Sequence, residues 1–162
     1  MSEKLKMEGG YFGLDAHQDW SSIVGSLDVV TCWIPFVEIT ELNFPLEVIK
    51  GSHLKGLKKG HVDSSLFQIS PSEIEENQFI PVKVSPGDAI FFTGFTVHRT
   101  KLVDCSGFRF GASLRFDNVS EKSFVKRGFP CAYSRTVNRH LVLDYQPTQT
   151  DVEKIFNKNK RN

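Results

Sequence analysis

The segment His17-Gln18-Asp19 places an imidazole and a carboxylate two positions apart. On extended backbone, side chains two residues apart point to the same side, so both groups can reach one metal ion. The pattern alone is weak, because a chain with five histidines and 19 acidic residues contains roughly 0.6 such matches by chance. Taken by itself, the motif favours His17 as an ordinary hydrogen-bonded histidine.

A third candidate metal ligand, His98, lies 81 residues after His17, beyond a turn and an apolar strand. Two histidines and one carboxylate make a facial triad, which leaves three positions open on an octahedral Fe(II) ion. Arg109 follows 11 residues after His98, and its planar guanidinium suits the two oxygens of a carboxylate. Thr100 shares the strand face of His98 and offers a hydroxyl to the same carboxylate.

The clearest strand pattern, residues 108–116, contains Arg109. Its alternate positions form an apolar face and a polar face. The apolar face consists of Phe108, Phe110, Ala112, Leu114 and Phe116, and the polar face of Arg109, Gly111, Ser113 and Arg115. Either the polar face is solvated, as in a half-buried strand, or it faces a ligand cavity inside a barrel.

Short strands separated by turn residues account for most of the remaining chain. The other strand candidates are Tyr11–His17, Ser26–Phe36, Leu46–Ile49, Phe79–Val84, Ala89–Phe92 and Thr96–Leu102. Helix signals are limited to a short piece at Ser70-Pro71-Ser72 and a longer one over Thr150–Lys158, with Thr150 as its N-cap. Many short strands, glycine and proline turns and few helices predict a mainly all-β sandwich or barrel.

Length and composition narrow the class of protein. A chain of 162 residues is expected to form one domain. Twenty Lys+Arg against nineteen Asp+Glu argue against bulk electrostatic binding to nucleic acid or to an anionic membrane. The apolar runs are too short for a transmembrane helix, and residues 1–10 lack the apolar core of a signal peptide. Three cysteines without a CxxC pair favour a reducing compartment and hence a cytoplasmic location.

These motifs together resemble the phytanoyl-CoA dioxygenase family of Fe(II)/2-oxoglutarate oxygenases. Their order and spacing agree over residues 11–118. The matching text is His17-Gln18-Asp19-Trp20, Gly25-Ser26, Trp33-Ile34-Pro35, Leu46 to His53, Pro86-Gly87-Asp88, Phe91-Phe92, His98-Arg99-Thr100 and Arg109 to Arg115.

The resemblance implies a set of site residues. Its iron ligands would be His17, Asp19 and His98. Arg109 would bind the distal carboxylate of the 2-oxoglutarate cosubstrate. A hydroxyl two residues after the second histidine is common in the family, which supports Thr100 in the same pocket.

The resemblance also implies a fold and a reaction. Trp33 resembles an aromatic residue that lines the cosubstrate pocket, and Ser113 is expected there because it shares the strand face of Arg109. The family fold is a double-stranded β-helix, a cupin-like jelly-roll barrel, which agrees with the strand pattern. The family uses Fe(II), 2-oxoglutarate and O2, so we expect an oxygenase that hydroxylates a small organic substrate and releases succinate and CO2.

The expected domain organisation is a frayed N-terminus over residues 1–10, a jelly-roll core over 11–118 and a C-terminal extension over 119–162. The extension carries a short helix and belongs to the same domain. Family members usually have a much longer segment before the His-x-Asp motif than the sixteen residues present here. We therefore expect a fragment, a truncated product or a minimal variant.

The alternative function is a non-catalytic or degenerate metal- or ligand-binding jelly roll that lacks the N-terminal part of the family. A further alternative is an interaction domain whose sheet binds another chain. If the face of Arg109 looks inward, the apolar face of residues 108–116 looks outward, and the helices that cover it in the family come largely from the absent segment. This uncovered face predicts a homodimer or aggregation.

Overall fold

The computed structural model describes residues 13–63, 66–103, 108–130 and 147–157. Within these ranges the strands are β1 (Val30–Pro35), β2 (Leu46–Ile49), β3 (Gly60–Asp63), β4 (Leu66–Ile69), β5 (Phe79–Val82), β6 (Ile90–Thr93), β7 (His98–Thr100) and β8 (Gly111–Phe116). The α-helices are α1 (Trp20–Ile23), α2 (Lys122–Lys126) and α3 (Gln149–Phe156). One-turn 3-10 helices occupy Ser52–Lys55, Pro71–Glu73 and Glu76–Gln78.

The strands form two three-stranded antiparallel sheets and a hairpin. One sheet has the order β6-β1-β8, the other has the order β5-β2-β7, and β3 pairs with β4. Each three-stranded sheet takes strands from distant parts of the chain, so the two sheets interleave along the sequence. Antiparallel strands with few short helices confirm the predicted fold class.

The register of the first sheet divides its residues between two faces. Trp33 of β1 lies opposite Ile90 on one side and Ser113 on the other, and the neighbouring Cys32 lies opposite Phe91 and Leu114. Side chains alternate between faces along a strand. Trp33 and Ser113 therefore share one face, which we call the inner face, together with Thr31 and Arg115.

The opposite, outer face of this sheet is apolar and exposed. Its large side chains are between 47% and 66% exposed, namely Phe91, Phe108, Phe110, Leu114 and Phe116. The predicted split of residues 108–116 therefore holds, with the phenylalanines turned away from the face of Arg109. Only the part from Gly111 onward is a regular strand.

The observed strands are mostly shorter than the predicted ones. Leu46–Ile49 matches β2 in full, whereas the predicted strand Ser26–Phe36 becomes β1 only from Val30 because Val29 N–H closes a turn onto Ser26 O. The predicted strand Tyr11–His17 reduces, in its described part, to a single bridge at His17. The β3–β4 hairpin was not predicted, because the polar residues of 60–69 interrupt the apolar alternation.

The predicted C-terminal helix is present as α3, but its N-cap is Thr148 and not Thr150. Thr148 and Asp151 form a capping box, in which each side chain accepts a hydrogen bond from the other residue's backbone N–H. The sequence pattern was ambiguous, since both threonines have an acidic residue three positions later. The predicted C-terminal end, Lys158, lies outside the described residues.

The main hydrophobic core anchors both α1 and α3. Its buried members are Trp20, Val24, Leu27, Val29, Phe95 and Val152. Trp20 stacks on Phe95 with 5.7 Å between ring centroids. Because Trp20 immediately follows Asp19, this packing also holds the start of α1, where Asp19 is located. None of the helices in the described part of the chain has the length and hydrophobicity of a membrane-spanning segment.

Replacing Val152 with Ala should lower the free energy of unfolding by about 2 kcal/mol, because two buried methyl groups are lost and a cavity remains. Val152 is fully buried against the core, so urea unfolding should remain one cooperative transition at a lower midpoint. Lys154→Ala, at an exposed position of the same helix, is the control and should change stability by no more than about 0.5 kcal/mol. Two separate transitions would contradict the single-domain assignment of residues 119–162.

Candidate metal and cosubstrate site

Backbone pairing brings the two distant histidines together. His17 N–H donates to His98 O over 3.0 Å, and His98 N–H donates to His17 O over 3.1 Å. The two imidazole rings lie with centroids 4.1 Å apart. His17 and His98, which are 81 residues apart in the sequence, are therefore in direct contact. They meet at a single β-bridge beside the sheet β5-β2-β7.

Asp19 completes a cluster of three buried donor groups. Its Oδ1 lies 3.6 Å from His17 Nε2 and 3.7 Å from His98 Nε2. The three donor atoms all lie within 4.8 Å of one another, a geometry that could hold a metal ion. The predicted reason for this convergence was only partly right, because Asp19 has helical dihedrals and N-caps α1 instead of lying on a strand.

Both histidines present Nε2 to this cluster. His17 Nδ1 lies 2.7 Å from Asp15 O, and His98 Nδ1 lies 2.9 Å from Thr96 O. A carbonyl oxygen only accepts hydrogen bonds, so Nδ1 donates in both rings and Nε2 is the nitrogen left to bind a metal. Metal-binding histidines are oriented in this way by a partner of the second ring nitrogen.

The protonation states of Asp19 and His98 suit a cation. Burial alone raises the pKa of Asp19, yet the neighbouring His17, His98 and Arg115 together hold it well below its usual range. Burial lowers the pKa of His98 to about 4, and the adjacent His17 acts in the same direction. At neutral pH the cluster thus contains a carboxylate and a neutral imidazole, which need not release protons before binding a metal.

The carboxylate of Asp19 has two further partners on the inner face. Its Oδ2 accepts a hydrogen bond from Thr31 Oγ1 over 2.7 Å and one from Arg115 Nε over 3.2 Å. Arg115 Nη2 also donates to Oδ1 over 3.2 Å. Sequence reasoning missed Thr31 and gave Arg115 no role, although both lie on the strand face of Trp33 and Ser113.

Arg109 lies in the same cleft and is held on two sides. Its Nη2 donates to Thr100 Oγ1 and its Nη1 donates to Phe44 O, both over 3.0 Å. Phe44 adopts a left-handed backbone conformation with φ of 59°, and its carbonyl oxygen accepts this bond. The guanidinium also lies 5.6 Å from the ring centroid of Trp33. Of the two interpretations of the polar strand face, the structure therefore favours the cavity.

The cleft joins all seven residues that the sequence analysis singled out. It is lined by His17, Asp19, Trp33, His98, Thr100, Arg109 and Ser113, with Leu14, Leu46, Phe92, Arg99 and Arg115 around them. Gly111 provides space beside it, because a Cβ atom there would lie 2.8 Å from Trp33 Cζ2 and 2.7 Å from Ile34 O. A larger residue at Gly111 would displace the Trp33 ring.

Comparison with known families agrees with this arrangement. Residues 4–111, well over half of the chain, match the family model described as Phytanoyl-CoA dioxygenase (PhyH). The chain belongs to the phytanoyl-CoA dioxygenase family. Comparison of the sequence with curated proteins finds no significant match.

Solved structures of similar fold include three of note. The non-heme monooxygenase ThoJ in its apo form shares 19% identity, with a TM-score of 0.54 over 66% of this chain and 40% of that one. EvdO2 from Micromonospora carbonacea var. aurantiaca shares 14% identity, with a TM-score of 0.55 over 68% and 49%. The epimerase SnoN, in complex with Fe3+, alpha ketoglutarate and nogalamycin RO, shares 18%, with a TM-score of 0.51 over 69% and 45%.

These similarities establish the family's cupin-like double-stranded β-helix as the fold. At sequence identities of 14% to 19%, the similarity to these structures concerns the fold alone. The chain spans less than half the length of each of these structures.

Proposed function

We propose that this chain is an Fe(II)/2-oxoglutarate-dependent dioxygenase that hydroxylates a small organic substrate. The observation that carries the proposal is the convergence of His17, Asp19 and His98 in one cleft with Arg109. Membership of the phytanoyl-CoA dioxygenase family supports it. Fe(II), 2-oxoglutarate and O2 supply the oxidising chemistry, in which decarboxylation of the cosubstrate to succinate accompanies hydroxylation of a substrate C–H bond.

The first role of the protein is to hold the ion from one side. His17 and His98 would bind it through Nε2 and Asp19 through Oδ1, the atoms that face one another in the cluster. Two imidazoles and one carboxylate suit Fe(II) and would leave the remaining positions to small ligands. The backbone carbonyls at Nδ1 keep both rings in this orientation.

The second role is to bind the cosubstrate. Arg109 would accept the distal carboxylate of 2-oxoglutarate, since a guanidinium matches two carboxylate oxygens. Thr100 Oγ1 already accepts hydrogen bonds from Arg109 Nη2 and from Leu14 N–H, so its own O–H is oriented to donate. Ser113 offers a second hydroxyl, and the Trp33 ring forms a wall of the cleft.

The apolar lining has a third role. Leu14, Leu46 and Phe92 line the same cleft as the polar groups, and apolar walls would strengthen electrostatic contacts beside them. Such a small cleft suits a small-molecule substrate and not a nucleic acid, in keeping with the balanced net charge of +1. We further propose a cytoplasmic location. It is supported by the three cysteines, which form no CxxC pair and are odd in number.

The alternative is a non-catalytic metal- or ligand-binding jelly roll. It is favoured by one observation, that the chain spans less than half of each compared structure. Both functions predict metal binding at the same residues. They differ in whether the bound cosubstrate is consumed.

His17→Ala and His98→Ala should each abolish Fe(II) binding, because the metal site loses one of its three protein donors. Anaerobic titration calorimetry measures the binding. His61→Ala, at an exposed position of β3, is the matched control and should bind like the parent. Thermal unfolding of each metal-free variant should show that the fold survives. Parental affinity in either variant would contradict the ligand assignment.

Arg109→Ala should remove most of the affinity for 2-oxoglutarate, because truncating one partner of a desolvated charge pair costs about 2–5 kcal/mol. Arg109→Lys should restore only part of it, since a point charge replaces a planar fork. Fluorescence titration with the metal-loaded protein measures both. Metal affinity should stay unchanged in the two variants, and undiminished 2-oxoglutarate binding by Arg109→Ala would remove Arg109 from the cosubstrate site.

We propose in addition that the chain forms a homodimer through the outer face. Contiguous apolar patches above a few hundred Å² are rare on monomers, and pairing one face with its own copy is the simplest closed arrangement. Sedimentation velocity at micromolar protein should show a dimer that Phe116→Glu dissociates. Leu42→Glu, at a residue that is 74% exposed and lies outside the strands, should leave the dimer intact. A stable monomeric parent would contradict the proposal.

A further inference from the structure

The two oxygens of Asp19 lie in different surroundings. Oδ1 faces the two Nε2 atoms at 3.6 and 3.7 Å and accepts one hydrogen bond, from Arg115 Nη2. Oδ2 accepts two, one from Thr31 and one from Arg115 Nε. From this asymmetry, we infer that Thr31 and Arg115 are positioning residues that restrict Asp19 to binding metal through Oδ1 alone. The inference rests on the proposed function.

The hydrogen bonds account for the binding capacity of Oδ2. A carboxylate oxygen has about two lone-pair sites, and Oδ2 accepts one bond from the Thr31 hydroxyl over 2.7 Å and another from Arg115 Nε over 3.2 Å. Bonds to an ionised acceptor are roughly twice as strong as neutral ones. Turning Oδ2 toward a metal would require both donors to be given up, and Thr31 would be left buried without its acceptor.

The sheet register explains why both donors reach the same oxygen. Thr31 on β1 lies directly opposite Arg115 on β8, and opposite Phe92 on β6. Thr31 is fully buried, and its branched side chain has few allowed rotamers. The hydroxyl is therefore held in place by the strands on both sides and is not free to follow Asp19.

The consequence concerns the number of open metal positions. Three protein atoms on an octahedral ion leave three positions open. A second oxygen from Asp19 would take up one of them. Restricting Asp19 to one oxygen would thus leave more of the ion to small ligands, which the proposed reaction requires.

The test compares Thr31→Val, which keeps the shape and loses the hydroxyl, with Thr31→Ser, which keeps the hydroxyl. The metal-free proteins are titrated with Co(II), and affinity and the visible absorption spectrum are recorded. Thr31→Val should bind Co(II) about 10- to 100-fold more weakly, with a spectrum altered by the changed carboxylate coordination. Thr31→Ser should resemble the parent, as should Thr93→Val, whose hydroxyl contacts Thr96 and not Asp19.

A second pair of variants covers the case in which Thr31→Val does not fold. Arg115→Met removes the two Arg115 nitrogens that donate to Asp19, keeps an apolar stem and leaves Thr31 in place. It should therefore show the same kind of spectral change, with Arg115→Lys intermediate. Parental affinity and spectrum in Thr31→Val, or in Arg115→Met, would overturn the inference. A parent that binds no Co(II) would instead overturn the proposed function and the inference with it, so the two failures are distinguishable.

Discussion

The pair of backbone hydrogen bonds between His17 and His98 is the interaction on which the rest of the site depends. It joins the segment before α1 to β7 and so converts two remote histidines into neighbours. Gln18, between the two predicted ligands, is fully buried and fixes this segment further. Its amide donates to Gly56 O and Phe95 O, and its carbonyl accepts Lys58 N–H. The middle residue of the His-x-Asp motif thus anchors the loop that presents its two flanking residues.

The electrostatics of the cleft follow from that geometry. Asp19 is buried, and a buried charge is costly unless it is paired and hydrogen-bonded. Arg115 and Thr31 meet that need from one side, while the two imidazoles face it from the other, with their Nε2 atoms 3.6 and 3.7 Å from Oδ1. Arg109 lies further along the same face and is held by Thr100 and Phe44. The cleft therefore has an anionic end for a cation and a cationic end for an anion, as a metal with a dicarboxylate cosubstrate requires.

Sequence reasoning predicted the parts of this arrangement that depend on local pattern. The alternation of residues 108–116 gave the orientation of Arg109, and the motif order gave all three metal-binding candidates. It did not predict Thr31, because an isolated threonine within a strand carries no signal until the register pairs it with Arg115. The start of α3 was also misplaced, since Thr148 and Thr150 offer the same local capping pattern. In the structure the helix begins at Gln149, whose side-chain amide donates to Leu54 O. In each case the missing information was a tertiary contact.

Release of succinate from 2-oxoglutarate tests the central claim most directly, because it requires the metal, the cosubstrate and O2 to act together. The purified chain is incubated in air with Fe(II), ascorbate and 2-oxoglutarate, without added substrate, and succinate is followed by mass spectrometry. We predict slow, Fe(II)-dependent succinate formation that the His98→Ala variant lacks and the His61→Ala variant retains. Metal and 2-oxoglutarate binding without any succinate above that of His98→Ala would contradict the enzymatic account and favour a non-catalytic binding module.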